Sequence, residues 1–241
     1  MIFSSFLRAL GQIGDPRFRK VLFLGIVLAF ALLVAFYAAF LAFLQWALPA
    51  SSTLPLIGEV HWINDLVSWS SLLLMTLLSV FLMVPVASAI TSMFLDEVAQ
   101  AVEDKHYPHL PPATPVPFGE ALRDTVNFLG VLIGANVLAL LLYAIFAPLA
   151  PFIFWGLNGF LLGREYFTLA AMRRIGREGA KALRRRYALK IWLAGILMAV
   201  PLSFPLINLL IPILGAATFT HLYHGLQSQA PSGGTGRYPS R

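Results

Sequence analysis

Arg164 to Lys190 stands between two long stretches that carry no charge. It reads REYFTLAAMRRIGREGAKALRRRYALK and holds nine of the seventeen basic residues against two acids, Glu165 and Glu178. A segment this basic resists transfer across a bilayer, so the apolar runs on either side of it must start from and return to one compartment. Those runs are 125–163 and 191–219, and two more charge-free runs precede them, 21–48 and 66–95. Composition agrees. The chain is 59% hydrophobic and 12% charged with mean hydropathy +0.78, whereas a soluble domain of this size carries roughly twice that charged fraction. An all-α integral membrane protein is the expectation.

The net charge of +6 and pI near 9.9 do not point to nucleic acid, because the basic residues cluster beside apolar spans, where cytoplasmic retention and contact with anionic lipid explain them. With no cysteine there are no disulfides, thiol nucleophiles or Cys-ligated metals. The first long apolar run is too long for the core of a cleaved signal peptide, so it is expected to stay as a membrane helix.

Residues 1–14 space Phe3, Phe6, Leu7, Leu10 and Ile13 for one helical face and Ser4, Ser5, Arg8 and Gln12 for the other, which predicts an interfacial helix. The run 21–48 spans about 42 Å as a helix, more than the roughly 30 Å hydrocarbon core. The loop 49–65 has Glu59 and Asp65 but no Lys or Arg, and reads as extracytoplasmic with Trp46, Trp62 and Trp69 as interface anchors. The run 66–95 is the second full span, which Pro85 can kink.

The later runs are interrupted by Pro148 and Pro151, and by Pro201, Pro205 and Pro212. Two helical hairpins, 125–163 and 191–219, are therefore predicted to be Pro-broken and partly re-entrant; about ten residues before Pro201 reach only about 15 Å, so the second reads as re-entrant unless it crosses once and exports the tail. Backbone at membrane depth must be buried in protein or line a wet cavity, hence an expected homo-oligomer. The likeness of Ala147-Pro-Leu-Ala-Pro151 to Val200-Pro-Leu-Ser-Phe-Pro205 hints at an internal repeat. Residues 106–117, HYPHLPPATPVP, are too proline-rich for helix and read as a separator of two halves. One membrane domain, 1–225, is followed by a tail, 226–241, whose Gly, Ser and Pro content reads as disordered.

His106-x-x-His109 and His221-x-x-His224 lack the third and fourth ligands of a zinc site and read as interfacial or loop histidines. Gly130-x-x-x-Gly134 allows close helix packing. No nucleotide-binding or catalytic motif is present, and neither enzyme activity nor a cofactor is expected. No Asp, Glu, Lys or Arg lies within the four runs, which weighs against a proton relay and leaves a path lined by backbone dipoles.

Such a path suits an anion. Arg17-Phe18-Arg19-Lys20, directly after Pro16, brings orphan N–H groups, the positive end of a helix dipole and cationic side chains to one place. The same residues fit ordinary cytoplasmic anchors beside lipid headgroups, and taken alone they favour that plainer reading. Asn158, Arg164 and Asn208 are further polar candidates at the hairpins. In 164–190 a helical wheel sets Arg173, Arg174, Arg177, Lys181, Arg184 and Arg185 opposite Met172, Ile175, Gly179, Leu183 and Tyr187, a second amphipathic interfacial helix.

Three segments resemble the CysZ-like sulfate permease family, whose domain is shared with the eukaryotic etoposide-induced membrane protein. They are Gly156-Leu-Asn-Gly-Phe-Leu-Leu-Gly-Arg-Glu-Tyr-Phe167 with Arg173-Arg174, Pro205-Leu-Ile-Asn-Leu-Leu-Ile-Pro-Ile-Leu-Gly-Ala-Ala-Thr218, and Arg17-Phe-Arg-Lys20 where the family has Gly-Leu-Arg-Arg. The resemblance implies a bacterial inner-membrane, multi-pass, oligomeric sulfate permease that feeds cysteine synthesis. It also implies anion contact at Arg19, Lys20 and the N–H groups of Phe18 and Arg19. The chain departs from the motif at Arg17, in the glycine position, and at Lys20, where lysine lacks the bidentate fork of arginine. A membrane-organising, lipid-interacting protein without transport is the alternative.

Overall fold

The computed structural model describes residues 1–47, 52–54, 58–60, 94–114 and 117–229. The expected second span, 66–95, lies outside the described residues except for its last two. Those described are helical apart from loops and a short antiparallel ribbon, β1 (Ser52–Leu54) with β2 (Gly58–Val60), in register Ser52↔Val60.

Helix α1 (Ile2–Gly11) packs by Ser5, Ala9 and the adjoining Gln12, which are buried, while Phe3, Leu7, Leu10 and Ile13 are exposed. Ile2 and Phe6 are half-buried against the core and Ser4 and Arg8 are exposed, so α1 packs through small residues and leaves part of its apolar face outward. Helix α2 (Pro16–Ala47) starts on a proline, whose missing N–H costs nothing at that position. Only its first turns enter the core, through Phe18, Val21 and Ala29; Phe23, Phe30, Leu32 and Phe36 project outward. Its stretch Pro16–Phe40 is long and apolar enough to cross a membrane.

Helix α3 (Leu95–His106) is amphipathic, burying Leu95, Val98, Ala99, Val102 and Glu103. The described part of the loop after it is not helical, as its prolines dictate. Thr114 donates its N–H to the Arg173 carbonyl (3.2 Å) and Arg174 donates to the Pro111 carbonyl, which pins the loop to a later helix.

Helix α4 (Phe118–Ile145) carries the apolar stretch Val126–Ile145, also long enough to cross. A Cβ on Gly130 or Gly134 meets nothing within 4 Å, so that pair packs against no described residue. The chain turns through a 3-10 turn, Ala147–Leu149, into α5 (Ala150–Arg186). Helix α6 (Ala188–Ala199), a second 3-10 turn (Pro201–Ser203), a single helical turn (Pro205–Asn208) and α7 (Ile211–Gln229) complete the fold. Helix α7 extends four residues into the segment read as tail.

The basic segment is not one continuous amphipathic helix. At Gly176 the backbone has φ 67° and ψ 177°, a conformation essentially confined to glycine. There the chain reverses. Residues on the two sides meet in antiparallel order: Arg184 with Thr168, Ile191 with Gly163, Gly195 with Gly159 and Ser203 with Trp155. The charges thus form the tip of a tight hairpin, and the two Pro-rich turns that resemble each other lie together at its far end, joined by Trp155 Nε1 donating to Ser203 Oγ (3.2 Å). Gly176→Ala is expected to destabilise the protein by about 1–3 kcal/mol, because no alanine fits that backbone without strain. Thermal unfolding in detergent checks it.

The hairpin legs touch through glycines. A Cβ on Gly195 would lie 1.8 Å from the Gly159 carbonyl oxygen, and one on Gly163 would lie 2.7 Å from the Ile191 carbonyl oxygen. Among the described residues the close-packing motif is Gly159-x-x-x-Gly163. Helix α7 fills the remaining space: Phe219, Leu222, Tyr223 and Leu226 are fully buried, and the Tyr166 ring lies so close to Gly215 that a Cβ there would be 2.4 Å from it.

Candidate functional site

The start of α2 was the first candidate for an anion, and its local chemistry is now explicit. Asp15 precedes Pro16 and its carboxylate accepts the Arg17 N–H (2.9 Å) and the Gln12 side-chain amide (3.0 Å). Burial raises the Asp15 pKa, but these hydrogen bonds and the charges of Lys105 and Arg17 bring it below the ordinary value. The Arg19 N–H donates to the Asp15 carbonyl (3.0 Å) and belongs to the helix. An attached carboxylate thus occupies the capping position that a free anion was expected to take.

The side chains divide similarly. Arg17 pairs with Asp104, whose pKa is lowered by that hydrogen bond and by Gln100. Phe18 is buried in the core. Arg19 and Lys20 remain exposed and line a shallow groove of about 530 Å³ with Pro16, Leu22, Phe23 and Ile26. Of the four residues proposed to contact an anion, these two side chains are the ones placed to do so.

Asn158 donates to the Phe154 carbonyl of its own helix (2.9 Å), and Asn208 ends the short turn after Pro205. Arg164 faces Arg184 and Arg185 in a second groove that shares no lining residue with the first.

A third cluster was not anticipated. Glu103, 1% exposed, accepts a bidentate fork from Arg174 (2.9 and 2.6 Å), lies 3.6 Å from Arg173 and bonds His224 Nε2 (3.0 Å). Arg173 also donates to the Asp96 carbonyl and to Gln100. Burial by itself raises the Glu103 pKa; the hydrogen bonds from His224 and Arg174 and the charges of Arg173 and Arg174 overcome it and hold the group at about 2. Arg173 and Arg174 are therefore buried structural partners, not the lipid-facing cations of the helical wheel.

His106 of the first histidine pair and both members of the second converge near this carboxylate. The His106 and His221 rings lie 4.8 Å apart edge to face, Tyr107 Oη meets His221 Nδ1 at 3.1 Å, and the Tyr107 and His224 rings are 4.2 Å apart. Burial, followed by the charges of His106 and Arg8, lowers His221 to about 3, so its imidazole is neutral. Among the described residues no three His, Cys, Asp or Glu side chains are grouped to hold a metal ion.

Residues 5–212 match the family described as sulfate transporter CysZ/etoposide-induced protein 2.4. The chain belongs to this family. No curated protein and no solved structure matches it. The CysZ/etoposide-induced family match runs from α1 into the start of α7, so it takes in the Arg19–Lys20 groove, the Gly176 hairpin and all the Glu103 partners except His224. Membership and the two long apolar helices place the chain among membrane proteins of a transporter family.

Sequence reasoning located α2, the proline turns and the basic tip. It missed the Glu103 cluster, whose partners are 71 and 121 residues away. The available signal was the acid pair Glu103-Asp104 just before the first His pair, with Arg173-Arg174 and the second His pair elsewhere in the chain.

Proposed function

We propose that this protein passes sulfate or a related oxyanion inward across the inner membrane of a bacterium, as a multi-pass homo-oligomer that supplies sulfur for cysteine synthesis. The observation that carries this reading is the match of 5–212 to a family described by a sulfate transporter. Two features support it. The apolar runs contain no Asp, Glu, Lys or Arg, which suits a facilitated path over a proton-coupled one. Arg19 and Lys20 stand exposed at the mouth of the first long helix. Their side chains are the proposed contact; Asp15 and Asp104 have already engaged Arg17, and Phe18 supports the turn from below.

Partial re-entry of the second hairpin is proposed with it, since α6 has 12 residues, about 18 Å of helix, against a core of roughly 30 Å. Oligomer contacts would cover the outward apolar residues of α2 and α4.

Labelled-sulfate uptake into proteoliposomes tests both levels. Wild type is expected to exceed protein-free vesicles, and Arg19→Ala with Lys20→Ala to lower uptake about tenfold or more, two charge-assisted contacts being lost. Uptake equal to protein-free vesicles removes the transport reading; undiminished uptake by the variant removes only the site. The alternative, a membrane-organising protein, draws on the outward apolar face of α1 and predicts vesicle binding without saturable flux.

A further inference from the structure

Below the Gly176 tip the hairpin changes from charged to apolar, and a groove of about 590 Å³ opens at that level. Its cations are Arg164 from the outgoing leg and Arg184 and Arg185 from the returning leg, and no carboxylate lines it. Its walls include Phe160, Leu189 and Trp192, which are 45%, 63% and 39% exposed. Two contacts fix its shape: Arg184 Nη1 donates to Thr168 Oγ1 (2.7 Å), and Trp192 Nε1 donates to the Gly156 carbonyl (2.9 Å).

We propose that this groove is a binding site for an acidic phospholipid. The headgroup phosphate sits among the three guanidiniums, and an acyl chain runs along Phe160, Leu189 and Trp192. Charge complementarity sets the class of ligand. Arg164 and Arg185, with no carboxylate among the described lining residues, favour a net-negative headgroup over a zwitterionic one. A free oxyanion would satisfy the arginines and leave the apolar wall in place, whereas an amphiphile covers both. The site is separate from the Arg19–Lys20 groove and does not depend on transport.

The full chain is purified with a mixture of phosphatidylglycerol and phosphatidylcholine, and retained lipid is counted by native mass spectrometry. Wild type is expected to retain phosphatidylglycerol preferentially. Arg164→Gln with Arg185→Gln is expected to weaken that retention roughly thirtyfold, two charges being removed. Arg186→Gln with Lys190→Gln removes two cations that stand over the Tyr187 ring, outside the groove, and is expected to retain the lipid. A second measurement guards against misfolding: brominated-chain phosphatidylglycerol should quench wild-type fluorescence more than that of a Trp192→Phe variant.

Equal retention of the two lipids by wild type overturns the proposal. So does unchanged retention by the Arg164/Arg185 variant, or equal losses in both charge variants. Complete displacement of the lipid by millimolar inorganic phosphate or sulfate assigns the groove to a free oxyanion and overturns it as well.

Discussion

Glu103→Ala is expected to destabilise the protein by about 3–5 kcal/mol, enough to prevent isolation of a folded chain at ordinary temperature. The side chain is 1% exposed and is the carboxylate among Arg173, Arg174 and His224. Removing it leaves two buried guanidiniums facing each other without a counter-charge. The cluster also ties three helices together: α3 supplies Glu103, α5 the arginines and α7 the histidine. Pairing at this burial contributes little net free energy when intact, yet losing one partner leaves the whole desolvation penalty exposed.

The pH dependence has a definite sign. The folded Glu103 pKa is about 2 against an ordinary 4.5, so the native state favours the ionised form. Its contribution is fully present above about pH 4.5 and is lost as pH falls through 4.5 toward 2, amounting to about 3 kcal/mol across that window. Glu103→Gln should lack this loss. Unfolding midpoints of both proteins, measured in detergent from pH 6 to pH 2, should converge at the acid end; parallel profiles would show that Glu103 titrates normally.

Gly195→Val is the second large effect. Its Cβ would sit 1.8 Å from the Gly159 carbonyl oxygen, 2.8 Å from that carbonyl carbon and 3.0 Å from the Gly163 nitrogen. All three neighbours are backbone, so no side chain can swing aside, and the legs of the hairpin have to separate. Overpacking of this kind costs about 3 kcal/mol or more. Separation would also displace Trp192 from the Gly156 carbonyl. A large fall in unfolding temperature, with a changed tryptophan emission spectrum, is expected; Gly134→Val, whose Cβ meets nothing within 4 Å among the described residues, serves as the comparison.

The contrast between those two glycines marks what was legible in the sequence. Both belong to small-residue patterns on apolar helices, and spacing alone carries no information about which face finds a neighbour. Prolines were more informative because their effect is local: Pro148, Pro151, Pro201 and Pro205 lie at turns, and Pro16 opens α2. Gly176 was hidden for the opposite reason. A helical wheel continues through an isolated glycine, whereas the backbone here leaves the helix at that one residue.

The anion site was half legible. Orphan N–H groups and a dipole at the start of α2 follow from the chain direction, but Asp15, one residue earlier, supplies its own carboxylate and leaves Arg19 and Lys20 as the side chains proposed for anion contact. Arg173 and Arg174 looked like surface cations because Glu103, the acid that withdraws them, lies in a segment whose local pattern gives no hint of its partners.

The inverted packing of α1 has a mechanical consequence. Phe3, Leu7, Leu10 and Ile13 make its outward side a float, and Gln12 lashes that float to the frame, donating to the Ala101 carbonyl at 3.2 Å and to Asp15 at 3.0 Å. Asp15 in turn fixes where α2 begins. The position of Arg19 and Lys20 is therefore tied through Asp15 and Gln12 to the frame formed by α1 and α3, and not only to the long helix that carries them.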